Sequence, residues 1–516
     1  MDEIHNRNAS QLSFEELYRN AYNLVLHKHG NLLYEGITHK LANQLQIIAE
    51  TVSSTPDALL LETVSQAWTD HTVTMIMIRD IFMYMDRTFV SQHKKRPVYE
   101  LGLVLFQQVV WEHPLVQSRV TALMLEAIGQ EREGQIVSAG LIKNIVGMLL
   151  DLGGGGGGGF YTVGHGRMHR YTPQKSHGMT TPSKNIYERD FEAIFLDTTQ
   201  EWYHLESASI LAQSTASEYV QKATSRLAEE LSRAQRYLAP STESPLINIV
   251  EMEWIQTHAK TLVEMETTGF VALLADSTHK MEELRQMYDL LVRVPTTVDY
   301  LRDALGNAVK SDGKALLVDQ ERGVADSTTF IKGMLGMRER YMNVVQYAFR
   351  GEKKTSKRLK ESLEDVLNRD NRAASCLALY ADELLKNGLK GVATEAQVDV
   401  ELQNVVMVFR YLQDKDVFEN YYKQYLAKRL LTGKTVSEEA EKAMVSLLKA
   451  ECGYQFTSKL EGMFNDMRIS RDTRDAYKRL VKSLPLVEGE SKGLELEVDV
   501  LTTYVLFVWM LEKCIE

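Results

Sequence analysis

Cysteine is scarce in this sequence: Cys376, Cys452 and Cys514 stand far apart along 516 residues. An odd number of widely separated cysteines excludes a disulfide framework and the paired spacing of a zinc site. This usage is typical of a reducing compartment, so we expect a cytoplasmic and nuclear protein. Proline is also scarce, with 9 residues, and seven of the 31 glycines form one run. With so few helix breakers, the sequence predicts long helices and disfavours an all-β fold.

Long apolar runs and clusters of basic residues are missing too. The longest apolar stretch, residues 504–511, is far shorter than the roughly 20 residues of a membrane-spanning helix. The first residues lack the basic and apolar segments of a signal peptide. The formal net charge is −11, which argues against a nucleic-acid surface, since such a surface needs clustered Lys and Arg. We therefore expect no membrane span, no signal peptide and no nucleic-acid partner.

Motifs for catalysis, metals or cofactors lack the sequence context that they need. The glycine run at 153–159 follows a helical pattern instead of a strand, which argues against a phosphate-binding loop. Residues 433–435 resemble the end of a P-loop, but Lys428 stands where that motif requires glycine. We predict a turn there, followed by a helix that begins near Ser437. The sequence therefore predicts a non-catalytic protein with no catalytic residue, no metal and no cofactor.

Apolar residues recur with the period of an α-helix along most of the chain. One such stripe consists of Val120, Leu123, Met124, Ala127 and Ile128. Breaks between helical blocks are predicted at 94–97, at 240–245 and at 368–373. The alternation of apolar and polar residues that is typical of a β-strand is clear only at 494–501. A chain of this length is too long for one compact core, so we predict a mainly α protein of several domains.

The stretch 153–184 differs from the helical blocks. After the glycine run it is rich in Gly, His, Arg, Thr, Ser and Pro. Such a composition buries too little apolar area to offset the entropy lost on ordering. We predict a disordered surface insertion.

The first clearly amphipathic helix carries more apolar surface than one packed face requires. Ser13 followed by Glu16 is a capping box, which predicts the start of the helix. Rotation by 100° per residue places one arc at Leu17, Ala21, Leu24 and Val25. Beside that arc lie Phe14, Tyr18 and Tyr22. Periodicity alone leaves two interpretations open: all seven side chains are core, or the aromatic ones form a partner surface.

A second helix, predicted at 71–90, favours the partner surface. Its core stripe is Met75, Ile78, Phe82, Met85 and Phe89, with Ile81 alongside. On the opposite side lie Ile76, Asp80, Met83, Tyr84 and Arg87. Tyr, Arg and Met are enriched at the centres of protein–protein interfaces. The two helices together predict one binding patch near the N-terminus.

Several long motifs, in order along the chain, resemble the cullin family. Residues 12–22 (LSFEELYRNAY), 26–30 and 77–87 (MIRDIFMYMDR) are similar to the first cullin repeat, in the form of the cullin-3 branch. Residues 187–192 resemble the second repeat, and 263–266 and 288–295 the third. Residues 416–431 (DVFENYYKQYLAKRLL) and 456–464 (FTSKLEGMF) resemble the opening of the cullin homology domain. The resemblance covers nearly the whole chain outside the insertion.

The resemblance implies an elongated stalk of three five-helix repeats followed by a helical bundle and the start of an α/β domain. The implied boundaries are 1–95 for the first repeat, 96–240 for the second, 241–368 for the third, 369–470 for the bundle and 471–516 for the α/β segment. Two departures from the family are expected: the first helix of the first repeat and an N-terminal extension are absent, and the chain diverges after 503 and ends within the α/β region.

The resemblance also implies partners. A BTB-domain substrate adaptor is expected to bind Phe14, Tyr18, Tyr22, Tyr84 and Arg87. A RING-box protein, which recruits the E2 enzyme, is expected to contact Leu496, Val498 and Val500. The implied function is that of a ubiquitin-ligase scaffold. The alternative, given the departures, is a module that binds adaptors without assembling an active ligase.

Overall fold

The computed structural model describes residues 2–5, 12–153, 185–321, 326–387, 395–435 and 437–483. Within these ranges all regular structure is helical and there is no strand, so the predicted mainly α fold is confirmed. The predicted insertion beyond Gly153, the predicted strand at 494–501 and the RING-box candidates Leu496, Val498 and Val500 lie outside the described residues. None of the described helices combines the length and apolarity needed to cross a membrane.

The chain divides into two compact units. Unit 1 is Met1–Ser214 with Glu218–His258, and unit 2 is Thr215–Ser217 with Ala259–Glu516. The α-helices of the first part of the chain are α1 (Asp2–His5), α2 (Phe14–Leu26), α3 (Gly30–Ser54), α4 (Asp57–Ile81), α5 (Met83–Met85), α6 (Val98–Phe106), α7 (Gln117–Arg132), α8 (Ala139–Leu152), α9 (Ala193–Gln213), α10 (Ala216–Tyr237) and α11 (Glu243–Glu251). Four π-helical turns interrupt them, at Asp86–Val90, Gln107–Trp111, Glu188–Glu192 and Met252–Gln256, and a 3₁₀ turn spans Pro240–Thr242.

Unit 2 continues the helical architecture. Its α-helices are α12 (Ala259–Glu264), α13 (Phe270–Ala275), α14 (Met281–Leu291), α15 (Val298–Glu321), α16 (Ser327–Tyr347), α17 (Lys353–Leu367), α18 (Ala373–Asn387), α19 (Glu395–Phe409), α20 (Lys415–Thr432), α21 (Glu438–Cys452) and α22 (Tyr454–Ser483). The boundary predicted at residue 470 falls inside α22, and the division into cullin repeats stays a prediction.

Helix ends follow local capping chemistry. The Ser13 hydroxyl accepts a hydrogen bond from the backbone N–H of Glu16 at 3.4 Å, so α2 begins where the capping box predicts. The predicted turn before Ser437 is also confirmed. Gly433 ends α20 with a left-handed φ of 63°, and the Ser437 hydroxyl caps α21 by accepting from the N–H of Ala440. Helices likewise end or begin at the three predicted breaks.

The helix predicted at 71–90 has different bounds. It begins earlier, at Asp57, because Pro56 takes the N-cap position and fixes an extended backbone before the first turn. It stops at Ile81, and after a turn at Phe82 the chain continues as the short α5 and a π-helical turn. The spacing of apolar residues in the sequence does not reveal this break in the helix, because a π turn adds only one residue to the helical repeat.

Each unit encloses a buried ionic network. In unit 1 the carboxylate of Glu230 accepts from Arg132 at 2.9 Å, from Arg233 at 2.7 Å and from the Tyr203 hydroxyl at 2.5 Å. Burial alone would raise the pKa of Glu230, but the charge and hydrogen bonds of Arg132, helped by the other two partners, lower it. In unit 2 the guanidinium of Arg429 donates to Glu441 at 2.6 Å and 2.9 Å. The contact of Arg132 with Glu230 joins positions 98 residues apart, whereas Glu441 follows Arg429 by 12 residues.

The core of unit 1 nearest its N-terminus supports α2. Its buried members are Ile4, Ile37, Leu41, Met75, Ile78, Ile81, Met85, Val90 and Val98. Leu17 and Val25 of α2 and Phe82 and Phe89 pack against this cluster as partly buried side chains. The predicted core stripe at 75–89 is thus confirmed, with Phe82 and Phe89 at its margin. The cluster holds α2 against α3, α4 and α5.

Candidate protein-binding site

Helix α2 buries little of its apolar surface. Ala21 is its one fully buried side chain among the described residues, and Leu17 and Val25 reach the core only in part. Phe14, at the first position of the helix, is 54% exposed. Leu24 and Leu26 are exposed as well, whereas Tyr18 and Tyr22 are half-buried, so part of the apolar surface of α2 is available to a partner.

The aromatic residues predicted from two separate segments meet in the structure. The rings of Tyr22, on α2, and Tyr84, on α5, are tilted by 49° with centroids 4.4 Å apart. Along α2, Phe14 and Tyr18 stack with centroids 6.2 Å apart. We call these four rings, two pairs over two elements, the aromatic patch; Phe14 is exposed and the other three are half-buried. It offers apolar area together with phenolic hydroxyls, the combination that protein interfaces favour.

Arg87 lies exposed three residues after Tyr84, on the π-helical turn that follows α5. The Thr88 hydroxyl donates to the carbonyl oxygen of Tyr84 at 2.7 Å, which helps to fix this turn. Arg87 is thus an exposed cation on the turn that directly follows the element carrying Tyr84. π turns inside helices occur frequently at functional sites because they re-aim the side chains around them.

The interpretation in which all seven apolar residues of α2 are core is wrong for two of them. Phe14 is exposed, as described, and Leu24 is 42% exposed although the helical arc placed it beside Ala21. Helical periodicity shows which face of a helix points inward. How far each side chain on that face is buried depends on the elements that pack against it. Leu24 lines an open groove together with Leu32 and Leu33 of α3.

Sequence reasoning missed two exposed side chains close to the patch in sequence. Leu26 lies four residues after Tyr22, which continues the outward row of α2, and Met77 lies on α4. Met83, predicted on the outer side of its helix, is also exposed. For Leu26 the signal was available: its i+4 spacing from Tyr22 extends the aromatic row by one turn.

Asp86 anchors the turn that carries Arg87. Its two carboxylate oxygens accept from the backbone N–H of Val98, at 3.1 Å and 3.3 Å, and so connect the π turn to the start of α6. Burial of the carboxyl group raises the pKa of Asp86 to about 6, with the hydrogen bond from Val98 opposing the change. The turn beside the aromatic patch thus depends on a group that titrates well above its ordinary range.

Among the described residues, no group of three or more His, Cys, Asp or Glu side chains lies close enough together to hold a metal ion.

Comparison with known proteins gives one consistent result. Residues 1–474 match the family model described as "Cullin: Cullin alpha solenoid domain". The chain is 39% identical over 503 residues to Cullin-3 of Dictyostelium discoideum, covering 98% of this chain and 61% of that protein. It is 40% identical over 501 residues to Cullin-3B of Arabidopsis thaliana, covering 97% and 63%. Against human Cullin-4A the identity is 31% over 503 residues, covering 97% and 60%. The chain thus spans about three fifths of the length of the curated relatives that it matches.

Proposed function

This chain belongs to the cullin family, and from that premise we propose that it is a scaffold subunit of a cullin–RING ubiquitin ligase. The scaffold carries no catalytic group of its own. It binds a BTB-domain substrate adaptor through unit 1 and holds the adaptor relative to a RING-box protein and its E2 enzyme, in the cytoplasm and nucleus. Its contribution is to raise the effective concentration of a substrate lysine near the E2 thioester.

The observation that carries the proposal is the contact between Tyr22 and Tyr84. Two segments some sixty residues apart in sequence each have surplus aromatic surface, and they join into one aromatic patch. Phe14 at the end of this patch is more than half exposed, and an interface would bury its ring. The similarity of the chain to Cullin-3 proteins along nearly its whole length supports the assignment of the partner.

The roles of the patch residues follow from their chemistry. Phe14 and Tyr18 supply flat apolar area, and Tyr22 and Tyr84 supply rings with hydroxyls that can reach polar groups of the adaptor. Arg87 supplies a guanidinium at the edge, suited to a carboxylate or a carbonyl of the partner. Aromatic and Arg anchors of this kind account for most of the binding energy in many interfaces.

The test is calorimetric titration of a purified BTB-domain adaptor into this chain. We expect Phe14→Ala and Tyr84→Ala each to weaken binding by about 2 kcal/mol, close to thirtyfold, as hot-spot residues do. Tyr347→Ala, on the exposed face of α16, removes a comparably exposed aromatic from unit 2 and is the matched control. Thermal melts of the three variants exclude unfolding as the cause. Changes below about 0.5 kcal/mol in both patch variants would contradict the proposal.

The alternative is an adaptor-binding module that does not assemble a ligase. It shares the aromatic patch and differs only in the RING-box partner. Co-purification of this chain with a RING-box protein separates the two functions: retention of that protein supports the scaffold, and binding of the adaptor alone supports the module.

A further inference from the structure

The last part of α22 extends beyond the start of α21, against which it packs. Arg471 of α22 donates to Glu438, the first residue of α21, at 3.2 Å. Helix α22 then continues to its last residue, about 18 Å further at 1.5 Å per residue. The side chains from 471 to 480 are exposed, except that of Arg474, which is half-buried. Among the described residues, this end of α22 therefore projects from the helices of unit 2.

An apolar stripe runs along the projecting end of α22. The side chain of Tyr477 is 60% exposed, and Ile469 and Leu480 are exposed as well. At 100° per residue these three side chains fall within an arc of about 100°. The charged side chains of this end all lie outside that arc. We call the residues within the arc the α22 stripe: Ile469, Thr473, Ala476, Tyr477 and Leu480.

The sequence that follows α22 contains the longest apolar run of the chain. Residues 504–511 read YVLFVWML and carry no charge. The alternating segment 494–501 has a polar face that can meet water, whereas the run 504–511 has none. The run is also too short to span a membrane. An apolar run of this kind favours contact with other apolar surface of the protein.

Chain length allows the run to reach the α22 stripe. From Ile469 to Leu480 the stripe measures about 17 Å. Residues 484–503, which connect α22 to the run, can extend up to about 65 Å at 3.3 Å each. Pro485, Gly489 and Gly493 lie within this connection. They disfavour a continued helix and allow the chain to reverse its direction.

The charges around the stripe favour this segment of the chain over a second copy of α22. Residues 468–480 contain five basic and two acidic side chains, whereas residues 484–516 contain seven acidic and two basic ones. A second α22 placed against the stripe would bring an excess of the same charge. The segment that follows α22 brings the opposite charge on both sides of its apolar run.

We propose that the apolar run 504–511 folds back onto the α22 stripe and covers it. The acidic residues on either side of the run then lie near the basic flanks of α22. Because run and stripe belong to one chain, they meet at a high effective concentration, and any partner of the stripe has to displace the run. The inference is independent of the proposed adaptor function, since no residue of the aromatic patch takes part in it.

Photo-crosslinking in the full chain tests the contact directly. Tyr477 is replaced by p-benzoylphenylalanine, which keeps an aromatic ring at the position, and the products are mapped by mass spectrometry after digestion. We expect crosslinks to residues 504–511 of the same chain, with a yield that does not depend on protein concentration. Tyr347, a comparably exposed tyrosine of α16, is the matched control and should give at least fivefold less of this product.

Three outcomes of the crosslinking experiment overturn the proposal. One is the absence of a product that joins Tyr477 to 504–511. Another is an equal yield from Tyr347, which would mean that the run contacts the surface without preference. The third is a product between two chains whose yield rises with concentration, which would identify a second copy as the occupant.

The fluorescence of Trp509 gives an independent measurement, because it is the one tryptophan in residues 484–516. The difference between the native chain and Trp509→Phe isolates its signal. We expect acrylamide to quench Trp509 at least threefold more effectively when Ile469→Lys and Tyr477→Lys are combined. Both positions are exposed, so the fold should tolerate the change, and thermal melts verify this.

Leu205→Lys, at an exposed position of α9, is the control for the added charge and should leave the quenching of Trp509 unchanged. If Trp509 of the native chain is quenched as readily as free N-acetyltryptophanamide, the run is uncovered and the proposal fails. If Trp509 is shielded and stays shielded in the double variant, the run packs elsewhere and the proposal fails as well.

Discussion

At the scale of single residues, Asp86 is the titratable group on which the edge of the aromatic patch depends. Burial raises its pKa to about 6, aided by the charge of Glu100 and opposed by Arg79 and the N–H of Val98. The folded state therefore holds the proton more tightly than the unfolded chain does. The contribution of Asp86 to stability is largest below the ordinary pKa of an aspartate and is lost as the pH rises through about 6.

Substitution of Asp86 by Asn should reverse this loss. The amide oxygen keeps an acceptor for the N–H of Val98, and the buried negative charge is removed. We expect Asp86→Asn to be more stable than the native chain at pH 7.5, with the difference shrinking as the pH falls through 6. Urea unfolding at pH 4.5, 6 and 7.5 measures it. Asp472→Asn, at an exposed position, is the control; a difference for Asp86→Asn that does not vary with pH would show that the carboxyl is not the cause.

At the scale of elements, the packing of α15 on α17 depends on a glycine. Gly313 lies so close to α17 that a Cβ atom would fall against the side chain of Val366, with Cγ2 at 2.5 Å. Val366 is buried and β-branched, so it has little freedom to move aside. Gly313→Ala should therefore destabilise unit 2 by about 1–3 kcal/mol through overpacking.

A matched glycine should respond in the opposite direction. Gly336 is in the interior of α16, and a Cβ atom added there would have no other atom within 4 Å, so Gly336→Ala should stabilise the chain by up to about 1 kcal/mol. Urea unfolding compares the two variants. The double variant Gly313→Ala with Val366→Ala should be more stable than the sum of the single effects, since the smaller side chain relieves the overlap. Additive effects would mean that the two positions do not clash.

Helix existence and helix ends were predictable because both are encoded locally. The capping box at Ser13, the turn before Ser437 and the three breaks depend on neighbours within a few residues. The π turns, the exposure of Leu24 and the contact of Tyr22 with Tyr84 depend on partners distant in sequence. The aromatic patch was predictable in part, since the surplus aromatic surface on each helix is visible in the periodicity of the sequence. The contact that joins the two helices depends on tertiary packing, which the periodicity does not show.

Buried charge was the least predictable feature. Glu230 meets Arg132 across 98 residues, and Arg429 meets Asp382 across 47. Nothing in local spacing distinguishes these side chains from the many charged residues that face solvent on other helices. Only the packed structure selects which charges it encloses, because each enclosed charge must have its partner in place.

At the scale of the whole molecule, the proposed scaffold function predicts that two activities separate. Transfer of ubiquitin to a substrate needs the adaptor, whereas discharge of the E2 thioester onto free lysine needs only the RING-box module. With adaptor below its dissociation constant, a thirtyfold loss of adaptor affinity, about 2 kcal/mol, lowers substrate transfer nearly in proportion. Tyr84→Ala should therefore reduce substrate ubiquitination about thirtyfold and leave E2 discharge unchanged.

The measurement uses a reconstituted system of this chain, RING-box protein, E2, adaptor and substrate, with both rates followed in parallel. Raising the adaptor concentration well above the weakened dissociation constant should restore substrate transfer by Tyr84→Ala, because the substitution acts on occupancy and not on the transfer step. Tyr347→Ala should behave as the native chain at every adaptor concentration. If substrate transfer stays low at saturating adaptor, or if E2 discharge falls together with it, then Tyr84 affects the catalytic module. That result would contradict the proposal that the aromatic patch serves adaptor binding alone.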